Sequence, residues 1–129
     1  MHRIIDTQNA PRPIGPYSQA LQIGNHLYCS GQLALDVRTG DLVAGGVEEQ
    51  AGQALRNICA VLRAATFDVT DIVKATIYLI SMEDFAVVNN IYAQVLGDHR
   101  PARTTVAVAD LPFGASVEIE VVAMRASSW

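Results

Sequence analysis

The chain has 129 residues, half of them hydrophobic and 17% charged, with a formal charge of −4. That length carries one real hydrophobic core and not two, and so high an apolar share implies that other subunits cover part of its surface. The acidic balance, with no basic run and few aromatics, disfavours affinity built on phosphate neutralisation, so nucleic acid is not an expected partner.

Taken in order, Arg3-Ile4-Ile5 reads as a short strand, and Asn9 to Tyr17 is broken by Pro11, Pro13, Gly15 and Pro16 into an extended loop. Ala20 to Ile23, Gly24-Asn25 and His26 to Leu33 read as a hairpin, in which Gly31 is the oddity. A glycine within a strand marks a bulge or a close approach of backbone to another group. Asp36 to Gly46 is a loop. From Val47 the period changes: Val47, Ala51, Ala54, Leu55, Ile58, Val61, Leu62 and Ala65 form a helical stripe, with Glu48 and Glu49 favourable in the first turn.

Ile72 to Ile80 is β-branched enough for a strand, and Ser81 with Asp84 resembles a capping box opening a helix over about Met82 to Leu96. Its stripe is Phe85, Val88, Tyr92 and Val95, with Asn89 beside it. A loop from Gly97 to Pro101 leads to the strand of Arg103, and Leu111 to Gly114 leads to a last strand from Ser116 to Val122. Right-handed crossovers place both helices on one face of the sheet. In the last strand Val117, Ile119, Val121 and Ala123 point one way and Glu118, Glu120, Val122 and Met124 the other, so the second face is half acidic and half apolar.

Cys29 and Cys59 read as small buried hydrophobes, and His2, His26 and His99 adjoin no acidic cluster, so neither a zinc site nor a Ser-His-Asp triad is suggested. The first residues lack a signal-peptide core and no apolar run approaches the ~20 residues of a membrane span, so a cytoplasmic, reduced protein is expected. The chemistry concentrates at Arg103 and Glu118. An Arg in an apolar strand is costly to bury unless it meets an anion, and its fork suits a carboxylate. The residues alone allow two readings: an anion-holding Arg beside a catalytic or water-positioning Glu, or a solvated Arg and two glutamates on a wet face.

Asn9-Ala10-Pro11, Ile14-Gly15-Pro16-Tyr17-Ser18-Gln19-Ala20, Ser30-Gly31-Gln32, Val73-Lys74-Ala75-Thr76, Phe85 to Asn89, Pro101-Ala102-Arg103 and Val117-Glu118-Ile119-Glu120 occur in an order that resembles the RidA/YjgF family of reactive-intermediate (enamine/imine) deaminases. The resemblance covers nearly the whole chain. It implies one α+β domain over residues 1–129 with a chorismate-mutase-like fold: a mixed sheet, two helices on one face, and a homotrimer with sheets inward and a ligand cleft at each subunit interface. It further implies hydrolysis of 2-aminoacrylate-type enamines or imines to 2-keto acids and ammonia, without metal or organic cofactor. Position by position, it makes Arg103 the carboxylate anchor and Glu118 the holder of the hydrolytic water, with Tyr17, Ser30, Gly31, Asn89 and Thr105 lining the cleft.

Three departures from the family pattern bear on the site or its frame. Thr105 stands where Cys is common, His99-Arg100 where an aromatic is frequent, and Thr66-Phe67 where a Gly often follows the first helix. A plain hairpin of the last two strands would set Arg103 opposite residue 122, about 13 Å from Glu118, whereas the resemblance implies that the last strand inserts elsewhere. Three other functions fit the same residues less well: a small-carboxylate sensor without turnover, an RNA-cleaving translation inhibitor, and a pathway-specific deaminase acting on a larger substrate.

Overall fold

Gly24, at φ +58°, and Asn25 supply the tight turn between β2 (Ala20–Ile23) and β3 (His26–Cys29) in the computed structural model, which describes residues 2–126. β1 (His2–Ile5) adds antiparallel to β2, pairing Ile5 with Ala20. The proline-broken loop between them is fastened by one side chain. Gln19, 2% exposed, accepts from the Thr7 N–H at 2.7 Å and donates to the carbonyls of Thr7, Ala10 and Pro11 at 3.0, 3.3 and 2.9 Å. A segment that cannot pair its own backbone is thus satisfied by a buried amide.

The first helical stripe forms α1 (Val47–Ala64), where the Glu49 carboxylate accepts from the Gly46 N–H at the N-terminus. It buries Ala51, Ala54, Leu55, Ile58, Val61 and Leu62. Asn57, also in the buried face, donates to the carbonyls of Leu33 and Leu35 at 3.0 and 3.1 Å, tying the chain after β3 to the helix. Thr66 leaves the helix at φ +60°, an uncommon region for a β-branched residue. Arg125 supports it, donating to the Thr66 carbonyl and hydroxyl at 3.0 and 3.1 Å with its guanidinium 4.3 Å over the Phe67 ring.

β4 (Ile72–Leu79) follows, and Ser81 then accepts from the Glu83 N–H to open a single 3₁₀ turn at Met82–Asp84. α2 (Phe85–Leu96) therefore starts three residues later than the capping pattern suggested. β5 (Ala102–Ala107) and β6 (Val117–Met124) complete the chain, joined through a turn with Phe113 at φ +62°.

Among the described residues the strand order is β1-β2-β3-β6-β4-β5, with β4–β5 parallel and the other pairs antiparallel. β6 inserts between β3 and β4, so β5 and β6 form no hairpin and β5 is an edge. Both helices lie on one face, where α1 and α2 share a core with Ala75, Ile77, Leu79, Val117, Ile119 and Val121. Truncating a residue such as Leu55 there would cost about 2–5 kcal/mol. The other face carries Lys74, Thr76 and Tyr78 from β4 and Glu118, Glu120 and Val122 from β6. Tyr28 and Met124 are exposed on it, the mixed surface expected from the alternation of β6. Cys29 is buried and Cys59 half-buried, both as free thiols. Among the described residues no helix is long and apolar enough to cross a membrane.

Candidate functional site

β3 stops earlier than its sequence implies, at Cys29, and the reason lies in the next two residues. The Ser30 N–H donates to the Gln19 carbonyl at 2.9 Å, one pair beyond the β2–β3 register, and its hydroxyl to the Ser18 carbonyl at 2.6 Å, so the chain stays with the β2 side while its pairing with β6 lapses after Tyr28–Val122. Pairing resumes as a single bridge between Gln32 and Ile119. Between them passes Gly31, and the Glu118 side chain lies against it: a Cβ there would come within 2.2 Å of Glu118 Oε2 and 2.9 Å of its carboxyl carbon. The close approach signalled by this glycine is to a carboxylate of the same chain.

Glu118 has neither a hydrogen-bond donor nor a cation in contact among the described residues, while it is half-buried. Burial first, and the charge of Glu120 second, push its proton affinity above the usual carboxylate range. Tyr17, half-exposed, lines the same hollow as Gly31 and Gln32. Its hydroxyl accepts from the Ile14 N–H at 3.3 Å, holding the ring to its loop. Tyr17, Ser30, Gly31 and Glu118 thus form one group, built from the loop, the frayed end of β3 and β6.

Arg103 belongs to a second group. It sits on the edge strand β5 opposite Ala75, so it faces the helices. Its guanidinium lies 5.0 Å from the Tyr92 ring centroid and 5.6 Å from that of Phe85, both on α2. Two rings fix the fork without using its N–H groups, and no described carboxylate pairs with it. Asn89 lies between Phe85 and Tyr92 on the same helix face, by its spacing of four and three residues. Thr105, two residues along β5, faces the same side opposite Ile77. The hydroxyls of Thr105 and Tyr92 are both buried without a partner among the described residues. His99 and Arg100 close the connection before β5: His99 Nε2 donates to the Ile72 carbonyl at 2.7 Å and Arg100 donates to the His99 carbonyl at 2.9 Å.

Within one protomer the topology keeps Arg103 and Glu118 apart. Arg103 is level with Ala75 and Val121, Glu118 with Tyr78, two strands and three residues away, or roughly 14 Å. They also face opposite sides of the sheet. One protomer holds both groups and does not bring them together. Sequence reasoning took Phe85 and Tyr92 as core stripe and passed over Tyr78, whose hydroxyl donates to the Glu120 carboxylate. An aromatic clamp has no local signature; an Arg on the strand following an aromatic-rich helix was the one available hint.

The family model described as Endoribonuclease L-PSP matches residues 7–125. A 2-iminobutanoate/2-iminopropanoate deaminase from Capra hircus is 49% identical over 97% of this chain and 91% of its own. The solved structure of a Rid family protein, YyfA from Yersinia pestis, superposes with a TM-score of 0.94 at 46% identity, covering 97% of this chain and all (100%) of that one. That of E. coli TdcF with bound serine gives 0.91 at 39% identity, covering 96% and 99%. With a model spanning almost the whole chain and relatives near half identity along it, the protein belongs to this YjgF/RidA family.

Proposed function

We propose that the protein is a hydrolytic deaminase of 2-aminoacrylate-type enamines and their imine tautomers, releasing 2-keto acids and ammonia. The observation that carries this reading is an arginine clamped between two rings and a half-buried glutamate, neither of which has an oppositely charged partner among the described residues. Relatives up to 49% identical bear the name 2-iminobutanoate/2-iminopropanoate deaminase, and TdcF has been solved with serine, itself a carboxylate.

The working form is a homotrimer of chorismate-mutase-like architecture, each chain contributing one domain. Its sheets face inward, so that the mixed face of each protomer meets a neighbour. The cleft then joins Arg103, Thr105 and Asn89 of one protomer to Tyr17, Ser30, Gly31 and Glu118 of the next. The unpaired edge of β5 and the orphan hydroxyls of Thr105 and Tyr92 support an interface at this place.

In the cleft Arg103 grips the substrate carboxylate in a bidentate fashion, setting the imine carbon against a water on Glu118. Glu118 takes one proton as the water oxygen bonds to that carbon, and the imine π pair becomes the nitrogen lone pair. Glu118 returns the proton to nitrogen, giving a carbinolamine, then takes the proton of the new hydroxyl and passes it to the same nitrogen, so that the C–N bond breaks and ammonia leaves as the carbonyl forms. Every proton is accounted for by Glu118 and water, and no protein nucleophile is needed.

The test is to generate 2-aminoacrylate enzymatically in the presence of the protein and follow the keto acid. Release well above the spontaneous rate is expected. A rate equal to the spontaneous one, with carboxylate binding seen by calorimetry, would make the protein a sensor. The family description names an endoribonuclease, and cleavage of single-stranded RNA without keto acid release would favour that activity; the net charge of −4 argues against it.

A further inference from the structure

β6 presents Glu118 and Glu120 on the same side of the sheet, two residues or roughly 6.7 Å apart. Their surroundings differ. Tyr78 on β4 stands directly opposite Glu118, yet its hydroxyl reaches diagonally and donates to Glu120. That bond is the main reason the Tyr78 hydroxyl is pushed up to about 12. Glu118, next to this pair, receives no donor among the described residues and packs against Gly31.

The other groups on this face leave the two carboxylates to each other. Lys74 on β4 donates to the Thr104 hydroxyl of β5 at 3.0 Å. From β3, Tyr28 is level with Val122 and His26 with Met124, beyond Glu120 from Glu118. Tyr17 on the loop bonds its own backbone neighbour, the Ile14 N–H. Glu120 is therefore the charge that acts on Glu118, and Tyr78 decides where that charge sits.

We propose that Tyr78 and Glu120 are a positioning pair for Glu118: the hydroxyl holds Glu120 as a fixed neighbouring anion, close enough to strengthen Glu118 as a base and tethered so that it does not take the water site. The proposal rests on the deaminase reading and adds to it two residues which that reading leaves unused. Glu120 acts on Glu118 as a neighbouring charge whose position Tyr78 sets, so the two substitutions act on Glu118 in opposite directions. Glu120→Gln removes the repelling charge and lets Glu118 ionise at lower pH. Tyr78→Phe frees Glu120 to swing toward Glu118, which raises the pH at which Glu118 ionises. With Glu120 already neutral, the hydroxyl has no anion to hold, and Tyr78→Phe adds nothing.

The experiment is a carbon-13 NMR titration of glutamate-labelled protein, with Glu118→Gln assigning the resonance, beside the pH profile of turnover on enzymatically generated 2-aminoacrylate. Expected are a downward shift of about half a unit to one unit in Glu120→Gln, an upward shift of similar size in Tyr78→Phe, and a double variant that titrates like Glu120→Gln. The acid limb of kcat moves with each, while KM changes less than twofold. A Glu118 titration that stays within about 0.2 of a unit in Glu120→Gln, or two single shifts of the same sign that add, overturns the proposal. Should Tyr78→Phe fail to fold, the Glu120→Gln arm alone still decides it. Wild-type protein that does not hydrolyse the enamine, with the titration shifts as expected, strikes the deaminase reading and leaves the pair's control of Glu118 standing.

Discussion

The two halves of the candidate site are made by opposite means. Arg103 is held by packing: two aromatic rings of α2 fix a planar cation on an edge strand and leave its donors free. Glu118 is shaped by what it lacks: a missing Cβ at Gly31 gives it room, and the absence of a donor among the described residues leaves it ready to accept a proton. A cation keeps its charge wherever it is put, so it needs only orientation, whereas a carboxylate used as a base needs its proton affinity raised and no donor to satisfy it. That difference also explains why the halves sit on different faces. The helix side supplies rings, and the open side supplies a second carboxylate.

The sharpest way to break the comparison is to neutralise the base. Glu118→Gln keeps shape and loses the proton acceptor, and its enamine turnover is expected to fall ~10²- to 10⁴-fold while 2-keto acid binding stays near wild type. Joint loss of binding and turnover, measured by calorimetry and a keto acid assay, would make Glu118 a structural partner instead. On the other half, Arg103→Lys keeps the charge but loses the planar fork and its stacking, so kcat/KM should drop by at least about 10²-fold. A folded Arg103→Lys protein with near-wild-type turnover would remove Arg103 from the role of anchor.

Gly31→Ala probes the room beside Glu118. The new methyl would meet Oε2 at 2.2 Å, and the carboxylate, being the free end of a side chain, swings aside. The chain should fold with turnover lowered by about 10²-fold, as a misplacement of ~1 Å costs that much. Unchanged rates would show that the position of Glu118 is not critical.

The smallest effect is on stability. Folded Glu118 binds its proton more tightly than the unfolded chain does, so between the two proton affinities the native state holds more protons and stability falls as pH rises. Above that window the ionised carboxylate is a cost that Glu118→Gln relieves. Its melting temperature should exceed wild type at pH 7 by on the order of 1 °C, and the gain should vanish as pH falls below the window. A lower melting temperature for Glu118→Gln at neutral pH would point to a stabilising partner for the carboxylate.

Much of the frame was legible because its periodicities are long. The stripe from Val47 to Ala65 and the alternation from Val117 to Met124 each specify one face over many residues, and both appear as expected. The end of β3 was not legible, since its pairing with β6 lapses after Tyr28–Val122 and returns one residue out of step at Gln32–Ile119, a shift that no local pattern encodes. Nor was the role of Gln19, a lone polar residue in a proline-broken stretch. Arg103 and Glu118 stood out as charges in apolar strands, and Gly31 as a glycine out of place, but their mutual position depends on β6 inserting between β3 and β4. Tyr78 needed the register itself, because a diagonal pair exists only once two strands are aligned.

The central claim is that Arg103 of one protomer works with Glu118 of another, and mixing two defective proteins tests it most directly. Arg103→Lys and Glu118→Gln chains, each nearly inactive alone, are unfolded together, refolded at equal concentration and assayed on enzymatically generated 2-aminoacrylate. If the site spans two protomers, random assembly gives about one site in four both native residues, and turnover recovers to about a quarter of wild type. A mixture that stays as inactive as its components, with exchange of protomers verified by mass, would contradict the account.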